Sequence, residues 1–265
     1  MKANGQKNVV ATVPNYGKDF YLQLAMGIAG AQYAPWAKTG YNGAVGTATE
    51  DLWTLGGSYV FPAVAGIPMQ VVSASGNDTN GGSGIQSVTL SYLDETYTEQ
   101  TEDIVLNGGT KATVAQKIAR VQNFRAKTVG ANAVAAGNIT LQAVGGGVNY
   151  TQIAQGYTRA RNSVWTLPKG KKLYVTSLAF SSGSGAGGRD SRFTTRATYD
   201  DKAGTVLTAG TFFMPYHEIL LEDSAFIREL EIPTVLPAYV DLKVSCMASA
   251  DVLATSVLRG FVETL

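Results

Sequence analysis

One cysteine, Cys246, and one histidine, His217, are all that the chain offers for thiol or imidazole chemistry. A cysteine nucleophile needs a base within hydrogen-bond reach. Cys246 instead closes an alternating run in which Val240, Leu242, Val244 and Cys246 interleave with Asp241, Lys243 and Ser245. That pattern predicts a strand with one buried and one wet face and an inert, buried thiol. A structural zinc would have to combine His217, Cys246 and carboxylates that have no close spacing, so none is expected. Carboxylates occur side by side at Asp94/Glu95, Glu102/Asp103, Asp200/Asp201 and Glu222/Asp223. A glycosidase would need two of them about 5 to 5.5 Å or about 6.5 to 9.5 Å apart. All four pairs fall at predicted turns or strand ends, where Asp and Glu cap and solvate. Asn77, Asp78 and Asn80 bring oxygen ligands together as a calcium loop does, without the distal Glu of an EF-hand. The glycine-rich segments Gly81 to Gly84, Gly145 to Gly147 and Gly183 to Gly188 are not followed by a helix pattern or by Gly-Lys-Ser/Thr, which a phosphate cradle requires. No catalytic residue, cofactor or metal site is expected, and the chain does not read as an enzyme.

The elements that would carry any such groups are short strands. From Trp53 to Leu106, apolar-alternating runs are cut by Gly, Pro and Asn clusters; Val88, Leu90 and Tyr92 alternate with Thr89, Ser91 and Leu93, a period of two. Turns are marked by Gly56-Gly57, Gly66 to Pro68, Gly76 to Gly84 and Asn107-Gly108. Residues Val114 to Ala126 fit a helix bearing Val114, Ile118, Val121 and Arg125, or a strand through Val121, Phe124 and Val129. As a helix they would gather Lys117, Arg120, Arg125 and Lys127 on one basic edge, either solvated or facing an acidic partner. Further strands are predicted at Val164 to Leu167, Lys172 to Phe180, Phe193 to Tyr199, Val206 to Met214, Ile227 to Ile232, Tyr239 to Met247 and Val252 to Val262. The expected fold class is all-β: one or two jelly-roll-like β-sandwiches with an extended N-terminal arm and at most one or two short helices. The expected organisation is an arm over residues 1–45, a first β block over 46–145 and a second over 146–265. No charged or Pro-rich linker parts the two blocks, so they should be tightly joined.

The chain has 265 residues, enough to bury a core without disulfide staples. Twenty-one basic against twenty acidic residues give a formal charge of +1, which argues against nucleic acid or an anionic membrane as a partner. Charged residues make up only 15% of the chain and glycines number 30, a composition suited to lying against another protein. Tyr21 to Ala34 is apolar but too short and too rich in Gly to span a bilayer. It starts late and beside Asp19, unlike a signal peptide. The sequons at Asn77, Asn138 and Asn149 therefore read as chance matches.

The arm, with a short helix expected around Phe20 to Ile28, carries aromatic residues suited to docking on its own core or on a neighbouring subunit. Tyr16, Phe20, Tyr33 and Trp36 are its candidate interface anchors. Trp53 and Trp165 lie beside strand starts, where packing is the expected role.

The stretch that begins with Trp53, Gly56, Gly57, Tyr59, Phe61 and Pro62 and continues through Val71 to Ser75 and Asn77, Asp78 and Thr79 carries a family pattern, with Leu93, Asp94, Asn107 and Gly108 beyond. Over residues 45 to 145 it resembles a group of tailed-bacteriophage virion structural proteins. The resemblance implies a β-rich particle component, on the capsid or in the neck or tail, and transfers no catalytic residue. The expectation is a capsid decoration or cement protein, a homotrimer bound to the major capsid protein. It would be made in the host cytoplasm and located on the virion surface, with the Gly76 to Gly84 and Ser181 to Gly188 loops as exposed tips. The alternative is a neck, tail or head-fibre component that binds a receptor or glycan.

Overall fold

A computed structural model of the protein describes residues 18–184, 187–198 and 213–265. Among these residues the fold is all-β, with one eight-residue helix, α1 (Lys18–Ala25), and antiparallel strand pairing throughout.

The strands gather around two main cores. In the first group, β1 (Tyr33–Val45), β16 (Val252–Thr264), β11 (Lys171–Gly183) and β14 (Ala225–Leu236) form one sheet in that order. Next come β10 (Trp165–Thr166), β15 (Asp241–Ala248), β12 (Asp190–Thr198) and β13 (Phe213–Glu222), with β2 (Glu50–Asp51) added to β15. Side chains of both sheets, among them Leu52, Leu178, Phe180, Phe193, Val244 and Leu258, fill one core. In the second group, β6 (Ala112–Thr113), β3 (Met69–Ser73), β8 (Ile139–Ala143) and β9 (Asn149–Ile153) make one sheet. The other is β5 (Glu99–Val105), β4 (Ile85–Leu93) and β7 (Arg120–Val129). Their shared core includes Met69, Val71, Leu90, Phe124, Ile139 and Leu141.

Alternation explains most of the strands. In β16, Val252, Ala254, Ser256 and Leu258 are buried, while Leu253, Thr255, Val257 and Arg259 are not. In β11 the inward residues are Leu173 and Val175, then Leu178 and Phe180, which a strict period of two would put on opposite faces. The register shifts between Val175 and Ser177: against β16 Thr176 is an extra residue that restores the inward set, while against β14 the pairing skips residues 230–233 of that strand. Gly40 of β1 sits where a Cβ would come within 2.7 Å of Ser163 and Ser256, so the strand reaches the core only without a side chain there.

Several expectations change. The segment 114–126 is not helical: Ile118 bridges Ile67 and β7 begins at Arg120, because Val114, Ile118, Val121 and Phe124 all reach the same core from an extended chain. The expected basic edge dissolves with it. Arg120 points inward and is buried, while Arg125 and Lys127 lie on the outer face of β7. Residues 33–45, expected within an arm, form a strand paired along the length of β16, and Val45 and Leu52 pack with the C-terminal core. Most of the expected Val206 to Met214 strand, and Asp200/Asp201, lie outside the described residues.

The Gly76 to Gly84 loop, expected as an exposed tip, is anchored from within by Asp78. This carboxylate is wholly buried and accepts hydrogen bonds from the Ser73 hydroxyl at 2.6 Å, the Ile85 amide at 2.8 Å and the Ala136 and Gly137 amides at 2.9 Å. A Cβ on Gly84 would lie 2.2 Å from its Oδ1. Of the oxygens that suggested calcium ligation, those of Asp78 are thus already engaged by protein donors.

The two groups meet through a buried ion pair. Arg120 of β7 holds Asp241 of β15 with Nε to Oδ1 at 2.8 Å and Nη2 to Oδ2 at 2.9 Å. Its Nη1 donates to the carbonyls of Pro62 and Ala119, and the guanidinium lies 5.1 Å and 5.4 Å from the ring centres of Phe61 and Tyr97. Thr166 donates its hydroxyl to Asp241, and Gln122 exchanges two hydrogen bonds with the Thr166 backbone.

Candidate functional site

The cysteine and histidine are not a catalytic pair. Burial, helped by the charge of Glu50, pushes the Cys246 thiol up to about 12, far from thiolate chemistry. His217 shares a hydrogen bond with Thr234 at 3.3 Å. Asp94 is engaged as a turn cap by Thr96, Thr98 and Gln100, and Asp103 by Thr89 and Lys127. Asp223 accepts from Ser184 and the Arg189 amide.

The surfaces are more telling. Of the expected anchors, Tyr16 lies outside the described residues. Phe20 is not available to a neighbour. It is 1% exposed and packs edge-on against Tyr33 and Phe261, because α1 folds back onto its own sheet. Tyr33 donates to Glu263 and is half-buried. The next residues keep an open apolar face: Tyr21, Leu22, Met26 and Ile28 are all exposed. A second apolar set lies on edge strands β13 and β14, where Leu220, Ile227 and Ile232 are 71%, 74% and 85% exposed.

Trp36 is half-buried on β1, the strand at the sheet's edge. It lines a cleft of about 420 Å³ between β1, the outer face of the β5-β4-β7 sheet and the returning segment around residues 159–165. Its ring centre is 5.1 Å from that of Trp165, with the planes tilted by 52°. Lys38, two residues on, donates its amine to the Gln122 carbonyl at 2.5 Å, and burial pulls that amine down to about 7. Lys171 and Glu99 also line the cleft and neutralise each other as an ion pair. Arg125 and Arg159, brought together because the residue 158–160 backbone pairs with the edge of β7, are exposed and have no ion pair among the described residues. Asp103, across Thr89 from Arg125, is held by Lys127. Asn123 and Ser91 add neutral polar groups.

The cleft thus combines an accessible aromatic ring with unpaired cations and amide groups, and has no carboxylate free of a partner for acid–base work. Of its residues the sequence singled out Trp36, Trp165 as a packing residue and, in a different setting, Arg125. Lys38, Asn123 and Arg159 carried no signal, since their meeting depends on the pairing of distant strands.

No protein-family model matches the chain, and no curated protein does. Among solved structures, the chain is similar at 11% identity to the infectious bursal disease virus Gt strain structure, over 93% of this chain and 82% of that one, with a TM-score of 0.16. It matches the crystal structure of that virus's VP2 subviral particle at 12% identity over 93% and 86%, with a TM-score of 0.12. Scores so low define no common fold, and these likenesses carry no argument.

Proposed function

We propose that the protein is a virion structural protein whose body is a jelly roll, and that it acts by binding, not by catalysis. The observation that carries the binding role is the open apolar surface: Leu220, Ile227 and Ile232 on strands that edge their sheets among the described residues. Exposed apolar edges of this kind mark assembly surfaces or aggregation hazards. The strand orders support the jelly-roll part. Counting β1, β10, β11, β12, β13, β14, β15 and β16 as one to eight, the sheets run 1-8-3-6 and 2-7-4-5, the two interleaved Greek keys of that fold. The family resemblance of residues 45 to 145 supports a place in a tailed-phage particle. Fold alone does not assign function.

In this reading the protein, made in the host cytoplasm, decorates the outer capsid as a homotrimer in contact with the major capsid protein. Each copy adds buried area that must be broken before the shell opens, and the lattice repeats that gain. Quantitative mass spectrometry of purified particles tests it: hundreds of copies support cementing, and absence refutes a virion role. A few to a few dozen copies would favour a neck, tail or head-fibre component that binds receptor or glycan, the reading that the aromatic, cationic cleft beside Trp36 supports.

A further inference from the structure

We propose that the cleft beside β1 is a binding site for an acidic saccharide, a sugar ring carrying a carboxylate such as a uronate or sialate. Four observations point to it. The cleft, at about 420 Å³, lies in the range of small-ligand sites. Trp36 is half-buried, held at its tilt by Trp165, and offers the kind of flat apolar surface on which the C–H face of a pyranose stacks. Arg125 and Arg159 supply guanidinium forks without a competing ion pair among the described residues, the geometry that takes a carboxylate through two parallel hydrogen bonds. Asn123 and Ser91, paired in register across β7 and β4, present amide and hydroxyl groups to which sugar hydroxyls can donate and from which they can accept.

The single free-standing acid of the cleft, Glu99, is occupied by Lys171, so the local balance is cationic although the whole chain is near neutral. Lys38 is engaged by the Gln122 carbonyl, and with burial pulling its amine down to about 7 the site's fixed charge rests on the two arginines. A neutral sugar would leave Arg159 without a charge partner and Arg125 with only the Asp103 carboxylate that Lys127 already holds, and a simple anion would leave Trp36 unused.

The test uses the purified full chain, so it stands apart from any role in a particle. Digalacturonate is titrated while tryptophan fluorescence and ligand-observed NMR are followed, with maltose, acetate and inorganic phosphate as comparison probes. Digalacturonate should bind, more weakly as salt rises, with saturation transfer to its ring protons, and maltose should not. The Arg125→Gln/Arg159→Gln variant should lose binding by about tenfold or more, as expected for charge-assisted bonds, with an unchanged unfolding midpoint. Asn123→Ala, an exposed substitution, provides a second variant and should weaken binding without affecting the fold. Acetate or phosphate competing as well as digalacturonate would overturn the saccharide assignment in favour of a plain anion cleft. Absence of binding, or binding that the arginine variant leaves intact, would overturn the site itself.

Discussion

Replacing Arg120 by Met is the perturbation that bears most directly on how the two β units hold together. The change removes both hydrogen bonds to Asp241, leaves that carboxylate buried with only Thr166 as a side-chain donor, and takes the donor away from the Pro62 and Ala119 carbonyls. Breaking a buried ion pair on one side costs about 3–5 kcal/mol, since the desolvated partner is left uncompensated. The pair here is about 94% buried on each side, so screening gives little relief. We expect a loss of about 4 kcal/mol, a large share of a total that is typically about 5–15 kcal/mol. In Arg120→Met/Asp241→Leu no charge is stranded: the Pro62 and Ala119 carbonyls are no worse off than in Arg120→Met, and only the Thr166 hydroxyl is newly short of a partner, at about 1–3 kcal/mol. The double variant should therefore be more stable than either single one. Urea unfolding followed by tryptophan fluorescence reads this well, because Trp53 and Trp165 lie at the points where the chain passes between the units. A loss under about 1 kcal/mol in Arg120→Met, or a double variant whose loss is the sum of the two single losses, would refute the reasoning.

Three more outcomes are expected. Gly84→Ala should cost about 1–3 kcal/mol by the overpacking of a filled site, read as a lower unfolding midpoint, since its Cβ would meet the Asp78 carboxylate at 2.2 Å; a neutral effect would mean that the Asp78 hub yields. Phe20→Ala should undock α1, with faster hydrogen exchange over residues 18–25 and a cost of about 3 kcal/mol or less; unchanged exchange there would contradict the packing described. Desolvation, aided by Arg228, holds the His217 imidazole below its ordinary value. The unfolded chain then binds the proton first, and stability should fall as pH drops below about 6.5. His217→Gln should flatten that slope, and an unaltered slope would assign it to other groups.

What could be read along the chain depended on how local the cause was. The period of two in Tyr239 to Met247 and Val252 to Val262 is a local pattern, and the structure has β15 and β16 there. The short helix expected around Phe20 to Ile28 is present as α1, which begins at Lys18 and closes at Ala25. Residues 114–126 fit either geometry by spacing, and the decision for the extended one comes from Met69, Ile67 and Leu93, which receive their backbone bonds. Arg120 read as one of four surface cations because its partner, Asp241, lies far along the chain. Tyr33 to Val45 read as an arm because Pro, Gly and Tyr interrupt its pattern, and only the complementary edge of β16 makes it a strand. The cleft was invisible for the same reason: Trp36, Arg125 and Arg159 meet only when both sheets are formed.

The chain leaves the first group of strands at Leu52 and returns at Ser163, and these two points are hydrogen-bonded to each other, with Trp53 and Asn162 bridged just beyond. Everything between is therefore a cassette hung on a two-stranded stem, of the kind that a short splice could delete or exchange with little loop-closure penalty. Arg120 sits inside that cassette and Asp241 outside it. A chain without the cassette would lose the cation together with the Phe61 and Tyr97 rings that cover it, and Asp241 would open to water. An exchanged cassette that covers position 241 again would need its own cation there, so the ion pair restricts which cassettes the stem can carry.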